Sequence, residues 1–127
     1  MADKVFVFGS NTAGIHGAGA ARTAHKKFGA RWGIGYGLHG NSFAIPTKDS
    51  NIKTLDMDSI KAFVEGFIAF ARSRSDLTFQ VTRIGCGLAG LTDADMAMMF
   101  TNAPSNCLFD LAWEPWLGIE HSYWGTF

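Results

Sequence analysis

The chain is expected to fold as an α/β domain, a compact three-layer α/β/α arrangement around a mixed, largely parallel sheet. Three observations lead there. Short β-branched and aromatic runs alternate with stretches of helical periodicity. Glycine-rich segments follow two of the predicted strands. The 127 residues, 47% of them hydrophobic, suffice for one buried core and show neither an internal repeat nor a linker.

Residues 4–8, KVFVF, form a continuous apolar run typical of a strand buried on both faces. The glycine-rich stretch GSNTAGIHGAG follows as a loop. Residues 19–28 have helical composition, with Ala21, Ala24 and Phe28 on one face and Arg22, Lys26 and Lys27 elsewhere. Gly29 stops that helix. Residues 30–41 carry four glycines and are expected to be a long surface loop. A short strand is predicted at 42–45, ended by Pro46.

The strongest helical signal spans 58–74. Ile60, Phe63, Val64, Phe67, Ile68 and Ala71 recur at i, i+3, i+4, i+7, i+8 and i+11, a stripe that must cover a sheet. Residues 77–84 alternate Leu77, Phe79 and Val81 against Thr78, Gln80 and Thr82, as a strand does. Thr92 with Asp95 resembles a capping box and predicts a helix from 93 to about 100. A last strand is expected at 106–111. The segment 113–127 holds three of the four tryptophans with Tyr123 and Phe127. It would wrap the domain and bury aromatics, or make a contact between copies in a homo-oligomer.

Charge and composition narrow the function. With 11 basic and 11 acidic residues the chain is formally neutral, which removes the simplest electrostatic case for nucleic-acid binding. Arg22, Lys26, Lys27 and Arg31 still lie close enough to form a local basic rim. No apolar run approaches the ~20 residues that cross a bilayer, and the first residues are no signal peptide, so a cytoplasmic location is expected, with no membrane partner. Two cysteines make no disulfide framework, and no spaced His/Cys pattern predicts a metal. No other cofactor is expected.

In parallel sheets, ligands sit beyond the carboxyl ends of the strands. Two glycine loops leave that edge here, GSNTAGIHGAGAAR and GCGLAGL, each running into a predicted helix. Backbone N–H groups without side chains in the way make an anion site, and two such loops facing one crevice suit two linked phosphates. The alternative is that the glycines serve tight turns and close packing. No GxxxxGK[ST] motif occurs, and GAGAAR lacks one Rossmann glycine and lies too far from its strand.

Four stretches, FGSN, HGAGAARTAHKKFGA, FAIPTKD and TRIGCGLAGL, together resemble the macrodomain family, which binds ADP-ribose. The likeness is greatest to the lysine-dependent ADP-ribose glycohydrolases, to antitoxins that remove ADP-ribose from DNA, and to small macrodomain-like phage proteins. It implies a macrodomain-like fold lacking the family's first strand, and ADP-ribose or a related NAD-derived nucleotide as ligand, free or carried on DNA or protein. It also implies site residues: Asn11 beside the distal ribose; Gly17, Ala18 and Gly19 in one phosphate loop; Gly85, Cys86, Gly87, Leu88, Ala89 and Gly90 in the other. Lys48 matches the lysine that attacks the anomeric carbon. Two departures follow. Ala89 stands where protein-directed glycohydrolases carry an acid, for which Asp49 is a candidate substitute although neighbours on a strand point to opposite faces, and the aspartate that contacts adenine is absent with the first strand. An aromatic of the C-terminal segment, or Trp32, would then stack on adenine.

Single residues have further readings. Cys86 is a nucleophile candidate at a helix start, where a thiolate is favoured, with His16, His25 or His39 as partner; packing is the plainer alternative. His16 and His39 would be solvated loop residues or ligand contacts. Three functions compete: hydrolysis of ADP-ribosyl linkages using Lys48, non-catalytic binding of a nucleotide signal, and an interaction module built on the aromatic segment.

Overall fold

The computed structural model describes residues 3–126 and leaves Met1, Ala2 and Phe127 outside the description. Its strands are β1 (Asp3–Asn11), β2 (Gly37–His39), β3 (Ser42–Lys48), β4 (Leu77–Val81), β5 (Cys107–Asp110) and β6 (Ser122–Gly125). Its helices are α1 (Gly19–Lys27), α2 (Met57–Ser73), α3 (Asp93–Met98) and α4 (Glu114–Leu117). One six-stranded sheet runs in the order β2-β3-β1-β4-β5-β6. Only β2 is antiparallel to its neighbour; the other four pairings are parallel. The fold is therefore α/β with a mixed, mostly parallel sheet.

β1 runs through the middle because its side chains suit burial on both sides. Val5 and Val7 point into the larger apolar cluster, with Ile60, Val64, Phe67, Ile68 and Ala71 of α2 and Met96 and Ala97 of α3. Phe6 and Phe8 point the other way, where α1 contributes Ala21 and Ala24. Each fully buried large side chain stabilises the fold by about 1.5–3 kcal/mol, so the α2 face dominates. The α1 face is thinner: small alanines bring the helix close, and Phe28 stacks on Phe6 with centroids 4.4 Å apart.

Several boundaries differ from expectation. The segment 30–41 is no simple loop, since its residues 37–39 form β2 against β3. β3 does not stop at Pro46 but continues to Lys48. β2 pairs only with Ser42–Ala44, so one side of β3 is open by Pro46, where a missing N–H leaves no ladder partner unsatisfied. α2 begins one residue early because the Asp56 carboxylate accepts from the Ser59 N–H and caps it. β4 ends at Val81, three residues early; the Thr82 N–H and hydroxyl both turn onto the Val7 carbonyl instead.

The C-terminal segment buries an aromatic as expected, and its last strand joins the sheet. Trp113 is fully buried against Phe100 and Phe109, and β6 adds a parallel edge strand to β5. Trp124 donates its indole N–H to the Val81 carbonyl at 2.8 Å. No helix among the described residues is long and apolar enough to cross a membrane.

Candidate functional site

The parallel strands β1, β3 and β4 end on the same side, and a cavity of about 530 Å³ opens there. Its floor includes Ser10, Asn11, Thr47 and Lys48, and its walls are backbone from the β1–α1 and β4–α3 connections. The two walls approach each other: Leu88, 71% exposed, places its Cδ1 3.9 Å from where a Cβ on Gly19 would stand.

The β1–α1 wall is held at its base. Asn11 clamps it by donating Nδ2–H to the Ile15 carbonyl and accepting the Ile15 N–H, both at 2.9 Å. The Gly33 N–H donates to the Gly14 carbonyl at 2.9 Å, an approach so close that a Cβ on Gly14 would lie 2.3 Å from the Gly33 carbonyl carbon. His16 is buried beneath, with Nε2–H donating to the Arg31 carbonyl at 2.7 Å. The Arg31 N–H in turn donates to Nδ1 of buried His39 at 2.7 Å. Burial lowers the pKa of both rings, and each is lowered further by a neighbouring histidine. α1 then starts at Gly19 without a side-chain cap, and Gly19, Ala20 and Ala21 of its first turn line the cavity.

The β4–α3 wall is held from below by a charged cluster. Arg83 donates Nε–H and Nη2–H to the two oxygens of Asp93 at 2.8 and 2.6 Å, and the Trp113 indole donates to the same carboxylate at 2.8 Å. The Arg83 hydrogen bonds hold the Asp93 carboxyl down at about 2. Burial, then the Asp93 charge, pushes the Cys86 thiol up to about 12, and its S–H lies 3.6 Å from the Ile84 carbonyl. Above this base the wall turns at Gly90, whose N–H donates to the Gly87 carbonyl. Thr54, beyond β3, ties it across by donating Oγ–H to the Ala89 carbonyl at 3.0 Å.

Ten of the eleven site residues implied by the resemblance line this one cavity: Lys48, Asn11, Gly17, Ala18, Gly19, Gly85, Cys86, Gly87, Leu88 and Ala89. Gly90 does not; it turns the chain just behind. Other expectations fail. Burial and the Asp93 charge favour the Cys86 thiol over the thiolate that a nucleophile needs. His16 and His39 are buried rather than solvated, and neither lines the cavity. The Asp49 carboxylate accepts the N–H groups of Asn51 and Lys53, which occupies it in its own turn, outside the lining. Among the described residues no aromatic side chain lines the cavity, so neither Trp32 nor the described C-terminal aromatics sit where a base would stack inside it.

Arg83, Thr47 and Ile52 were not singled out and do line it. Arg83 was findable, because it directly precedes the glycine run at a strand exit. Ile52 has a left-handed backbone, φ 62°, and is 45% exposed; such strain in a β-branched residue costs on the order of 1–3 kcal/mol. Among the described residues no group of His, Cys, Asp or Glu is placed to hold a metal ion. No protein-family model, curated protein or solved structure matches this chain.

Proposed function

We propose that this cavity binds ADP-ribose or a related NAD-derived nucleotide, with a macrodomain-like fold as its frame. The supporting observation is the state of Gly17 and Gly87, one in each wall. Neither has a backbone angle that demands glycine, and a Cβ on either would meet nothing within 4 Å. The fold does not need glycine at these two positions, yet both line the cavity. Space kept free on two opposed backbone walls suits a ligand that runs between them.

The charge pattern agrees with an anion. Lys48 lines the cavity beside Arg83, whose guanidinium is paired to Asp93, and no carboxylate is among its described lining residues. The uncapped start of α1 adds N–H donors. A diphosphate between the walls would meet backbone N–H groups, with the distal ribose directed toward Asn11 and Lys48.

Binding ranks above hydrolysis for the same reason. An enzyme using Lys48 would add its amine to the anomeric carbon, break the glycosidic bond and pass a proton to the leaving group. With Ala89 in the lining and Asp49 held in its turn, no acid stands ready for that proton. Lys48→Ala separates the two: a binder still saturates with ADP-ribose, weakened only by the lost charge, and any turnover of ADP-ribosylated DNA or protein that persists excludes the lysine mechanism.

Calorimetric titration with ADP-ribose is the primary test, with AMP and ribose 5-phosphate as controls. Saturable binding that needs the whole diphosphate is expected. Equal affinity for AMP, or no heat with millimolar ligand, would overturn the proposal.

A further inference from the structure

Formal neutrality hides a segregation of charge. Residues 4–48 contain six of the 11 Lys and Arg and none of the 11 Asp and Glu. Everything acidic except Asp3 lies after that point, where residues 49–127 hold ten Asp and Glu against five Lys and Arg. Because β1 and β3 are mostly buried, the surplus surfaces on α1 and the segment after it. Arg22, Lys26, Lys27 and Arg31 are all exposed. The ion pairs among the described residues, Arg74–Asp76 and Arg83–Asp93, involve none of these four.

A plain explanation covers part of this: cations in the last turn of a helix complement its dipole, and Lys26 and Lys27 sit there. Arg22 and Arg31 lie outside that turn, and no acid on α1 balances them. Beside them Trp32 is 57% exposed. Its ring is steadied edge-on by His25 at 5.6 Å and His16 at 6.0 Å.

We propose that this face, Arg22, Lys26, Lys27, Arg31 and Trp32, binds single-stranded nucleic acid. Clustered cations on one face are the footprint of a phosphate backbone. An exposed, fixed indole among them offers a stacking surface, which an unpaired base can use and a duplex cannot. The face is continuous with the cavity: α1 begins in its wall, and His16, which touches Trp32, lies between the lining residues Ile15 and Gly17. A strand following α1 would arrive at the cavity mouth. The surface does not depend on which ligand the cavity holds, so it can succeed or fail separately from the ADP-ribose reading.

The test is fluorescence anisotropy of a labelled oligothymidylate titrated with the full chain at low salt. Saturable binding is expected, with affinity falling as salt rises by a log–log slope of about −0.7 per phosphate neutralised. Arg22→Glu with Lys26→Glu should weaken binding roughly tenfold or more and flatten that slope. Trp32→Ala should weaken it about tenfold and leave the slope unchanged, because it removes stacking and no charge. Lys61→Glu with Arg72→Glu, on α2, should change nothing. If the charge reversals disturb folding by circular dichroism, Lys27→Gln with Arg31→Gln replaces them. Absence of saturable binding overturns the proposal, as does equal loss from the α2 pair. Duplex or anionic phospholipid vesicles bound as tightly, with no effect of Trp32→Ala, would also overturn it.

Discussion

The two glycine walls of the cavity look alike in sequence and are built differently. The β1–α1 wall is locked by backbone approach: a Cβ on Gly35 would lie 2.0 Å from the Asn11 carbonyl oxygen, and one on Gly14 2.3 Å from Gly33. The β4–α3 wall is held at its base by Arg83, Asp93 and Trp113 and tied near its tip by Thr54, while Gly87 faces open space. Glycine thus has two meanings in one site. At Gly14 and Gly35 it lets two chain segments touch; at Gly17 and Gly87 it keeps space for something that is not protein.

The sharpest way to break this distinction is Gly35→Ala. It forces a methyl into a backbone oxygen that cannot move without Asn11, and it should cost at least about 3 kcal/mol in urea denaturation. A near-normal midpoint would mean the first wall is not locked. Gly17→Ala and Gly87→Ala should do the opposite, shifting stability by less than about 1 kcal/mol while lowering ADP-ribose affinity roughly tenfold. If either unfolds the protein, the open-space argument collapses.

Acid should separate the walls by pH window. His16 and His39, both lowered from 6.5 by burial, favour the neutral ring in the fold. Their support is full above 6.5 and declines as pH falls toward their folded values. Asp93, lowered from 3.8 to about 2, contributes stability above 3.8 that is lost as pH falls through about 2. Its share is on the order of 1 kcal/mol once solvent screening is allowed for. Urea midpoints followed against pH should show both declines, and Asp93→Asn should abolish only the lower one. The smallest expected effect is Thr54→Val, about 0.5–1 kcal/mol from one lost hydrogen bond, read as faster amide exchange across 87–90. Unchanged exchange would mean that Thr54 does not restrain the second wall.

How much of this was legible depended on whether the cause was local. The α2 stripe and the alternation in β4 are periodic, and both elements appear where the pattern puts them, with ends displaced by a cap or a turning threonine. The glycine runs mark strand exits, which is enough to gather Asn11, Lys48 and the two walls at one edge. β2 was hidden because its three residues lie among glycines and owe their conformation to the partner strand. β6 was hidden for the same reason: its aromatic residues read as wrapping until their pairing with β5 is seen. The bonds that hold His16 and His39 run to the Arg31 peptide between them, and the Cys86 thiol is kept protonated by burial and then by the Asp93 charge. Both are contacts between residues far enough apart in sequence that no motif records them.

The segregation of charge also bears on how the molecule behaves as a body. With no net charge and a sequence pI near 6.9, it has almost no monopole at neutral pH. What remains is a separation of charge between the basic stretch 4–48 and the acidic stretch 49–127. A dipole turns in a field without being drawn along it, so approach to any charged polymer or surface becomes a matter of orientation. The same protein can then be held by resins of either sign at one pH, each gripping a different stretch.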